Sequence, residues 1–546
     1  MLRRLKPHLS IGVWTKYSIL KMFEKNYSAI LESSLLLAIG MFSIVLGLLS
    51  FESQVIILAF IVVLVVWVIV WDKGKDFAFL FFLLFFIGYF QGIASKIGGD
   101  RIPQSLWGLT KYEIIGVMLI SLIARLMTGH VHRTTMTLRK WMWLWVINCF
   151  FFCLFMVEAI EADPSYSPIL TIQSFGLGNM LLMVLTYYSV TKNQVDIALK
   201  LLVWSGIVAA IAGVCQRIFI HELLALVLAD KSQMNFLSNT PTFEGFRAFS
   251  FFDTHHAFSA FLIFACVALQ ILRLQKKVRP LYYWLSMGVL WAGFAVTFNF
   301  TNIISCLIVL MIIGVLENQK KGISFPRAFL RQAFSWRSLA LVFLGLLVAF
   351  SASATMRERL ISVLDVSESS FTSDIPGAGR SLFLRLQGTW NGTAALASHP
   401  AGLGLWLTPF SQWGDRYARY GSYFSNRGEL FTGDEWFLFL AVQIGLPLFL
   451  LYAALYLLPI AYGWKNCRHF HNSELRILAN GMLALMIVTF LAGASNSPIL
   501  VFPPTNFLIW AAAGVLMKAK SWDDQLFLAE RSQYFREDDI GQDVFN

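Results

Sequence analysis

The sequence predicts an all-α, polytopic membrane protein with about fourteen spanning helices. Three observations predict it. Hydrophobic residues are 57% of the chain and charged residues only 14%, against roughly a quarter charged in ordinary globular proteins. The mean hydropathy of +0.65 comes from repeated apolar runs, most of them near the ~20 residues that a helix needs to cross a hydrocarbon core. Finally, Lys and Arg concentrate in every second loop, as the positive-inside bias requires.

Residues 1–28, with Lys16, Lys21 and Lys25, are basic and lack a short apolar run ending in a small-residue cleavage site. They read as a cytoplasmic tail. The N-terminal helices occupy 29–217, with spans near 29–49, 53–71, 77–95, 111–129, 141–160, 170–190 and 197–217. A first outer loop, 218–255, follows. The central group, 256–355, holds spans near 256–272, 281–298, 302–317 and 338–355; the second and third are separated only by Asn299–Thr301. A large outer loop covers 356–433. The last group, 434–518, has spans near 434–463, 476–495 and 500–518, and 519–546 reads as a second cytoplasmic tail. The run 434–463 is long enough to tilt, and Pro447 and Pro459 are candidate kinks.

With both termini inside, the inner segments hold 30 of the 43 Lys and Arg. Arg273, Lys276, Lys277 and Arg279 cluster in one inner loop, and Lys320, Lys321, Arg327, Arg331 and Arg337 in another. The outer turns around Glu52, Glu158–Asp163 and Asn496–Pro498 have none. This bias accounts for the net charge of +11, so the charge gives no support to a nucleic-acid partner. The six cysteines lie in spans or, for Cys467, in an inner loop, and imply no structural disulfide.

Charged residues within the spans sit at their ends, as Glu32, Glu113, Arg125, Asp196, Lys200 and Arg217 do. Ion-coupled transporters usually place ionisable groups along a path through the membrane interior. Their absence from the central turns argues against a secondary transporter and puts the chemistry where the outer loops meet helix ends.

In the first outer loop, Thr242-Phe-Glu-Gly-Phe-Arg247-Ala-Phe-Ser-Phe-Phe-Asp253-Thr-His255-His256 leads into the eighth span. Arg247 stands among aromatics, suited to bidentate recognition of phosphate or equally to anchoring at the interface. His255 and His256 are too few for a metal site, which wants three or four ligands. The second outer loop has seven arginines. Within it, Gly379–Ser398 reads as an interfacial helix with Leu382, Phe383, Leu386, Trp390 and Ala394 on an apolar stripe. Ser381, Arg385, Gly388, Thr389 and Gly392 form a small, polar second face, so a bulky ligand can approach Arg385 more closely than Arg380. A snorkelling arginine on a surface helix is the alternative. His399-Pro-Ala-Gly402-Leu-Gly404 stops that helix. The loop ends at Asp434-Glu435, where Thr432 and Glu435 have capping-box spacing and Glu435 suits a cap. Helix-dipole stabilisation and desolvation pull the Asp434 carboxyl in opposite directions.

Together these segments resemble the O-antigen ligase/polymerase superfamily of bacterial inner-membrane glycosyltransferases. Arg247-Ala-Phe-Ser250…His256-Ala-Phe is similar to its Arg-x-x-Gly…Asn-x-Phe pattern. Arg385…Trp390…His399-Pro-Ala-Gly402-Leu-Gly404 is similar to its Arg…Trp…Pro-x-Gly-x-Gly loop. Asp434-Glu-Trp-Phe437-Leu…Gln443-Ile-Gly445-Leu-Pro is similar to its [His/Asp]-Asn-x-Tyr-Leu…Glu-x-Gly. Ser250 replaces the usual Gly, His256 the usual Asn, and Asp434 stands where ligases typically carry His.

The resemblance implies a C-type membrane glycosyltransferase-like fold, and transfer of glycan from an undecaprenyl-diphosphate-linked oligosaccharide to an acceptor glycan. The reaction would take place at the periplasmic face of the bacterial inner membrane. The residues suggest roles within it: Arg247 and Arg385, with Arg380 near, for the diphosphate, and Asp434 or His256 for the acceptor proton. Asp253, His255 and Glu435 are supporting candidates. No Asp-x-Asp motif occurs in the outer loops, so no metal or other cofactor is expected. Trp406, Trp413, Tyr417, Tyr420 and Tyr423 are available to stack on sugars. Asp434 favours a polymerase that joins lipid-linked repeats of O-antigen, capsule or exopolysaccharide, working beside a flippase and a chain-length regulator. The alternatives are a ligase delivering glycan to lipid A-core or protein, and a non-enzymatic glycolipid transporter or scaffold.

Overall fold

The computed structural model describes residues 135–162, 176–219, 248–250, 252, 255–297, 299–319, 327, 389–390, 392–402, 436–493 and 505–542. They belong to one compact unit within Lys73–Asn546. Among them every regular element is a helix: α1 Met136–Ala162, α2 Leu177–Ser189, α3 Lys192–Ile218, α4 His255–Leu274, α5 Pro280–Thr297, α6 Phe300–Gln319, α7 Trp436–Asn466, α8 Ser473–Gly493 and α9 Thr505–Gln542. Six are long and apolar enough to cross a membrane: α1, α3, α4, α6, α7 and α8. The expected spans before residue 130 and near 338–355 lie outside the described residues.

α4 is the hub. It packs on α3, α5, α6, α8 and α9, and its buried residues run almost without a break from Ala257 to Leu272. A helix apolar on every face can lie against lipid or inside the protein, and α4 is enclosed by its neighbours where α1 is not. Small residues bring the helices close. A Cβ on Gly206 of α3 would meet Ala265 of α4 at 2.4 Å, and one on Gly514 of α9 would meet the Met183 carbonyl of α2 at 2.6 Å. Such approaches replace the hydrophobic driving force that lipid removes. α1 lies against α7, where the Trp141 indole donates to the Leu455 carbonyl at 2.8 Å.

Helix ends are set by local chemistry. α3 begins at Lys192, several residues before the expected span, because Thr191 and Gln194 form a capping box. α9 continues to Gln542, so the described part of the segment read as a tail is helical. The break in α7 is at Gly445 (φ 78°, ψ 162°), two residues before Pro447. Only glycine readily adopts that backbone, and Pro447 removes a helix donor just beyond it.

One end of the bundle carries charge. Lys277, after α4, pairs with Asp196 at 2.8 Å and Glu474 at 3.2 Å, and Lys192 pairs with Glu474 at 3.0 Å. Arg476 and Asn480 of α8 both bind Glu317 at the end of α6. Asp523 of α9 caps the turn at His471 and Asn472. The loops that the charge bias assigns to the inside thus converge. Burial alone would lower the pKa of Lys277, but Asp196 and then Glu474 outweigh it and the net shift is upward.

Candidate functional site

At the opposite end of the bundle, where α4 starts and α5 turns into α6, described amide, hydroxyl and imidazole groups bond to one another. Residues 248–250 and 252 approach α4 buried against the helices. Ala248 N–H donates to the Val296 carbonyl at the end of α5 (2.9 Å). Gln216 of α3 grips Ser250 on both sides: its Oε1 accepts from Ser250 N–H at 2.7 Å and its Nε2 donates to the Ser250 carbonyl at 2.8 Å. The Ser250 hydroxyl donates to the Ala209 carbonyl. Ser250 has φ 54°, in the left-handed region that favours glycine. Gln216 supplies bonds that hold a serine in this backbone. Phe252 stacks on Phe258 of α4, centroids 5.6 Å apart.

His256 lies in the first turn of α4. Asn299, in the turn between α5 and α6, reaches its ring: Asn299 Nδ2 is 2.9 Å from His256 Nδ1. The same Nδ2 donates to Ser259 Oγ at 3.0 Å, and Asn302 Nδ2 donates to that oxygen at 2.6 Å. The Ser259 hydroxyl donates to the His256 carbonyl at 3.0 Å. Asn299 Oδ1 accepts the Asn302 N–H at 3.3 Å, the bond an N-cap residue makes. Ser259, Asn299 and Asn302 are buried, and buried amides must find partners. The rings of His255 and His256 lie 3.9 Å apart between centroids.

The second outer loop meets the bundle at the break in α7. Residues 392–398 are helical, with Gly392 and Ala395 buried and Trp390 75% exposed. Thr389, on the small polar face with Gly392, is exposed. The helix ends at His399, and the next turn lays its backbone into the break: Leu446 N–H donates to the Pro400 carbonyl at 2.9 Å. Gly402 has φ 94°. A Cβ there would sit 2.5 Å from the Gln443 carbonyl, and one on Gly445 would sit 2.4 Å from the Ala401 carbonyl. Two glycines far apart in sequence are thus packed backbone to backbone.

Of the candidate catalytic and supporting residues, His255 and His256 are placed; His256 bonds Asn299, and Ser259 follows one turn later on α4. Arg247, Asp253, Arg380, Arg385, Asp434 and Glu435 lie outside the described residues. Sequence reasoning missed Gln216, Ser259, Asn299 and Asn302; the signal was an amide or hydroxyl at the outer end of an otherwise apolar run. Among the described residues no three His, Cys, Asp or Glu side chains converge as a metal site would require. An apolar cavity of about 100 Å³ is lined in part by Thr186, Val190, Gln194 and Phe264. No protein-family model matches the chain, and comparison with curated proteins finds no match.

Proposed function

We propose that the chain is a multi-pass bacterial inner-membrane polysaccharide polymerase. It transfers glycan from an undecaprenyl-diphosphate carrier to a sugar hydroxyl of another lipid-linked repeat, at the outer face. The observation that carries the reading is the contact of Gly402 with Gly445. These glycines belong to the second and third segments that resemble the superfamily, and their backbones meet although 43 positions separate them. The first segment agrees, since Ser250 holds the left-handed backbone of the glycine it replaces.

In this reading the acceptor oxygen attacks the anomeric carbon, and the bond from that carbon to the phosphate oxygen breaks. The diphosphate leaves with the electron pair. Arg247 and Arg385 stabilise its charge, and Asp434 takes the acceptor proton. Ala248, next in the chain to Arg247, is anchored to Val296 at the end of the bundle where α4 begins. Asp434 stands two residues before α7.

Purified protein given only lipid-linked repeats is expected to lengthen them, and to do so equally with a chelator present. Absence of product without a second acceptor would overturn the polymerase reading, and clear loss on chelation would overturn its independence of metal. Arg247→Ala and Arg385→Ala should each lower polymer synthesis by about 10²-fold or more. If both preserve it in cells at normal protein levels, the diphosphate assignment is wrong.

A further inference from the structure

We infer that Gln216 is a positioning residue for Arg247: its side-chain amide clamps the backbone of Phe249 and Ser250, and so fixes the segment that follows Arg247 against the bundle. The clamp is read from hydrogen bonds alone. Its role for Arg247 rests on the glycosyltransferase reading, which assigns that arginine to the diphosphate.

The clamp is built on one face of α3. Gly206, Ala209, Gly213 and Gln216 follow one another three or four residues apart, and residues so spaced share a helix face. Small side chains let the neighbouring segments come close. A Cβ on Gly213 would lie 2.7 Å from the Phe258 ring of α4, the ring on which Phe252 stacks. The Ala209 carbonyl accepts the Ser250 hydroxyl at 2.8 Å. Gln216 stands at the end of this face, two residues before α3 finishes at Ile218.

Ala248, Phe249 and Ser250 are buried and belong to no helix, so their backbone groups need partners from elsewhere. Ala248 N–H donates to the Val296 carbonyl at 2.9 Å, and the Phe249 carbonyl accepts from Phe252 N–H at 3.0 Å. Three further bonds all go to Gln216. Its Oε1 accepts from Phe249 N–H at 3.3 Å and from Ser250 N–H at 2.7 Å, and its Nε2 donates to the Ser250 carbonyl at 2.8 Å. Two N–H groups call for an oxygen and the carbonyl calls for an N–H, so the amide fits in one orientation. Turned over, it would set its donor against two donors. The bonds also offset the backbone of Ser250, whose φ of 54° is unfavourable for a residue with a side chain.

Covalent geometry carries this constraint along the chain, because consecutive Cα atoms are held about 3.8 Å apart and Ala248 directly follows Arg247. A cation that stabilises charge on a departing diphosphate does so by being in place beforehand. Misplacement by about 1 Å can cost about 10²-fold in rate. Gln216 thus acts on the reaction through Arg247.

A double-mutant cycle on the full-length protein separates positioning from general support. Gln216→Met keeps the length of the side chain and removes its amide. It should lower lengthening of lipid-linked repeats about 10- to 10²-fold when Arg247 is present, but less than about threefold when Arg247 is already alanine. Equal losses in the two backgrounds would assign Gln216 to the fold in general and overturn the positioning role, as would no loss with Arg247 present. The clamp has a readout of its own. Hydrogen exchange followed by mass spectrometry should be faster at Phe249 and Ser250 in Gln216→Met, and unchanged exchange there would overturn the clamp. If Gln216→Met does not fold, the cycle is run on Ser250→Gly with and without Gln216→Met, since glycine takes the φ of 54° without strain. The same dependence on Arg247 is expected, and its absence overturns the role. Failure of wild-type protein to lengthen repeats would bring down the polymerase reading and the positioning role with it, leaving the clamp to be decided by hydrogen exchange.

Discussion

Where α4 and α6 end and α3 and α8 begin, Lys277 ties Asp196 to Glu474, and Arg476 with Asn480 holds Glu317. Where α4 and α6 begin, an imidazole, a hydroxyl and two amides are joined to one another. The difference is one of direction. A carboxylate accepts along many lines, and an ammonium donates along many, so ion pairs hold helix ends together without fixing any proton. An amide has one donor face and one acceptor face, and a hydroxyl has one proton. A network of these, anchored to a helix N-terminus, restricts which group donates and which accepts. Charge serves to fasten and to orient; directional neutral groups serve to preorganise.

The break in α7 extends the contrast, because there the packing is backbone on backbone. Gly445→Ala would add a Cβ 2.4 Å from the Ala401 carbonyl, at a φ of 78°. Strain and overpacking together should cost roughly 4 kcal/mol. We expect this to be the largest single effect, read as a fall in thermal stability of the detergent-solubilised protein together with loss of polymer synthesis. A variant as stable and active as wild type would show that the 399–402 turn does not depend on the break.

At the charged end, Glu317→Gln leaves Arg476, whose side chain is 10% exposed, without its counter-charge. The Glu317 side chain is 19% exposed, so the cost should be about 2–3 kcal/mol, below that of a fully buried pair. Glu317→Gln combined with Arg476→Met should recover most of it, since the pair fastens the helices and an apolar contact does the same. Thermal unfolding of the single and double variants checks this. If the double variant is worse than the sum of the singles, Arg476 has a role beyond the pair.

The two ends were unequally legible in the sequence. Helix positions followed from hydropathy, and even the short turn at Asn299–Thr301 separates α5 from α6 as expected. The convergence of the basic loops followed from the alternation of charge. Helix starts were less legible, because the capping box at Thr191 draws Lys192 and Asp196 into a helix that hydropathy alone begins later. The neutral network was not legible. Its members lie 40–46 residues apart, and an asparagine in an apolar turn carries no mark of the histidine it will meet. Gly402 and Gly445 were visible as motif glycines, but that each excludes a side chain from the other is a tertiary fact.

The smallest effect, and the one that most sharpens the comparison, concerns protons. Asp523 has a fully buried side chain. Burial alone would raise its carboxyl pKa, but the backbone N–H groups of Asn472 and His471, and Lys520, outweigh it and hold the value below the ordinary 3.8. The unfolded chain therefore takes up this proton more readily than the folded one. The stabilisation is complete above the ordinary value and is lost as pH falls from there through the lower folded value. Asp523→Asn should cost about 1–2 kcal/mol at neutral pH, from exchanging one accepting oxygen for an amide that faces donors. It should also flatten the decline in thermal stability between about pH 5 and pH 3. Parallel declines in the two proteins would show that other carboxylates govern acid stability. A flattened one would place a pH-sensitive fastening at the charged end, on the side of the bundle away from His256 and Asn299.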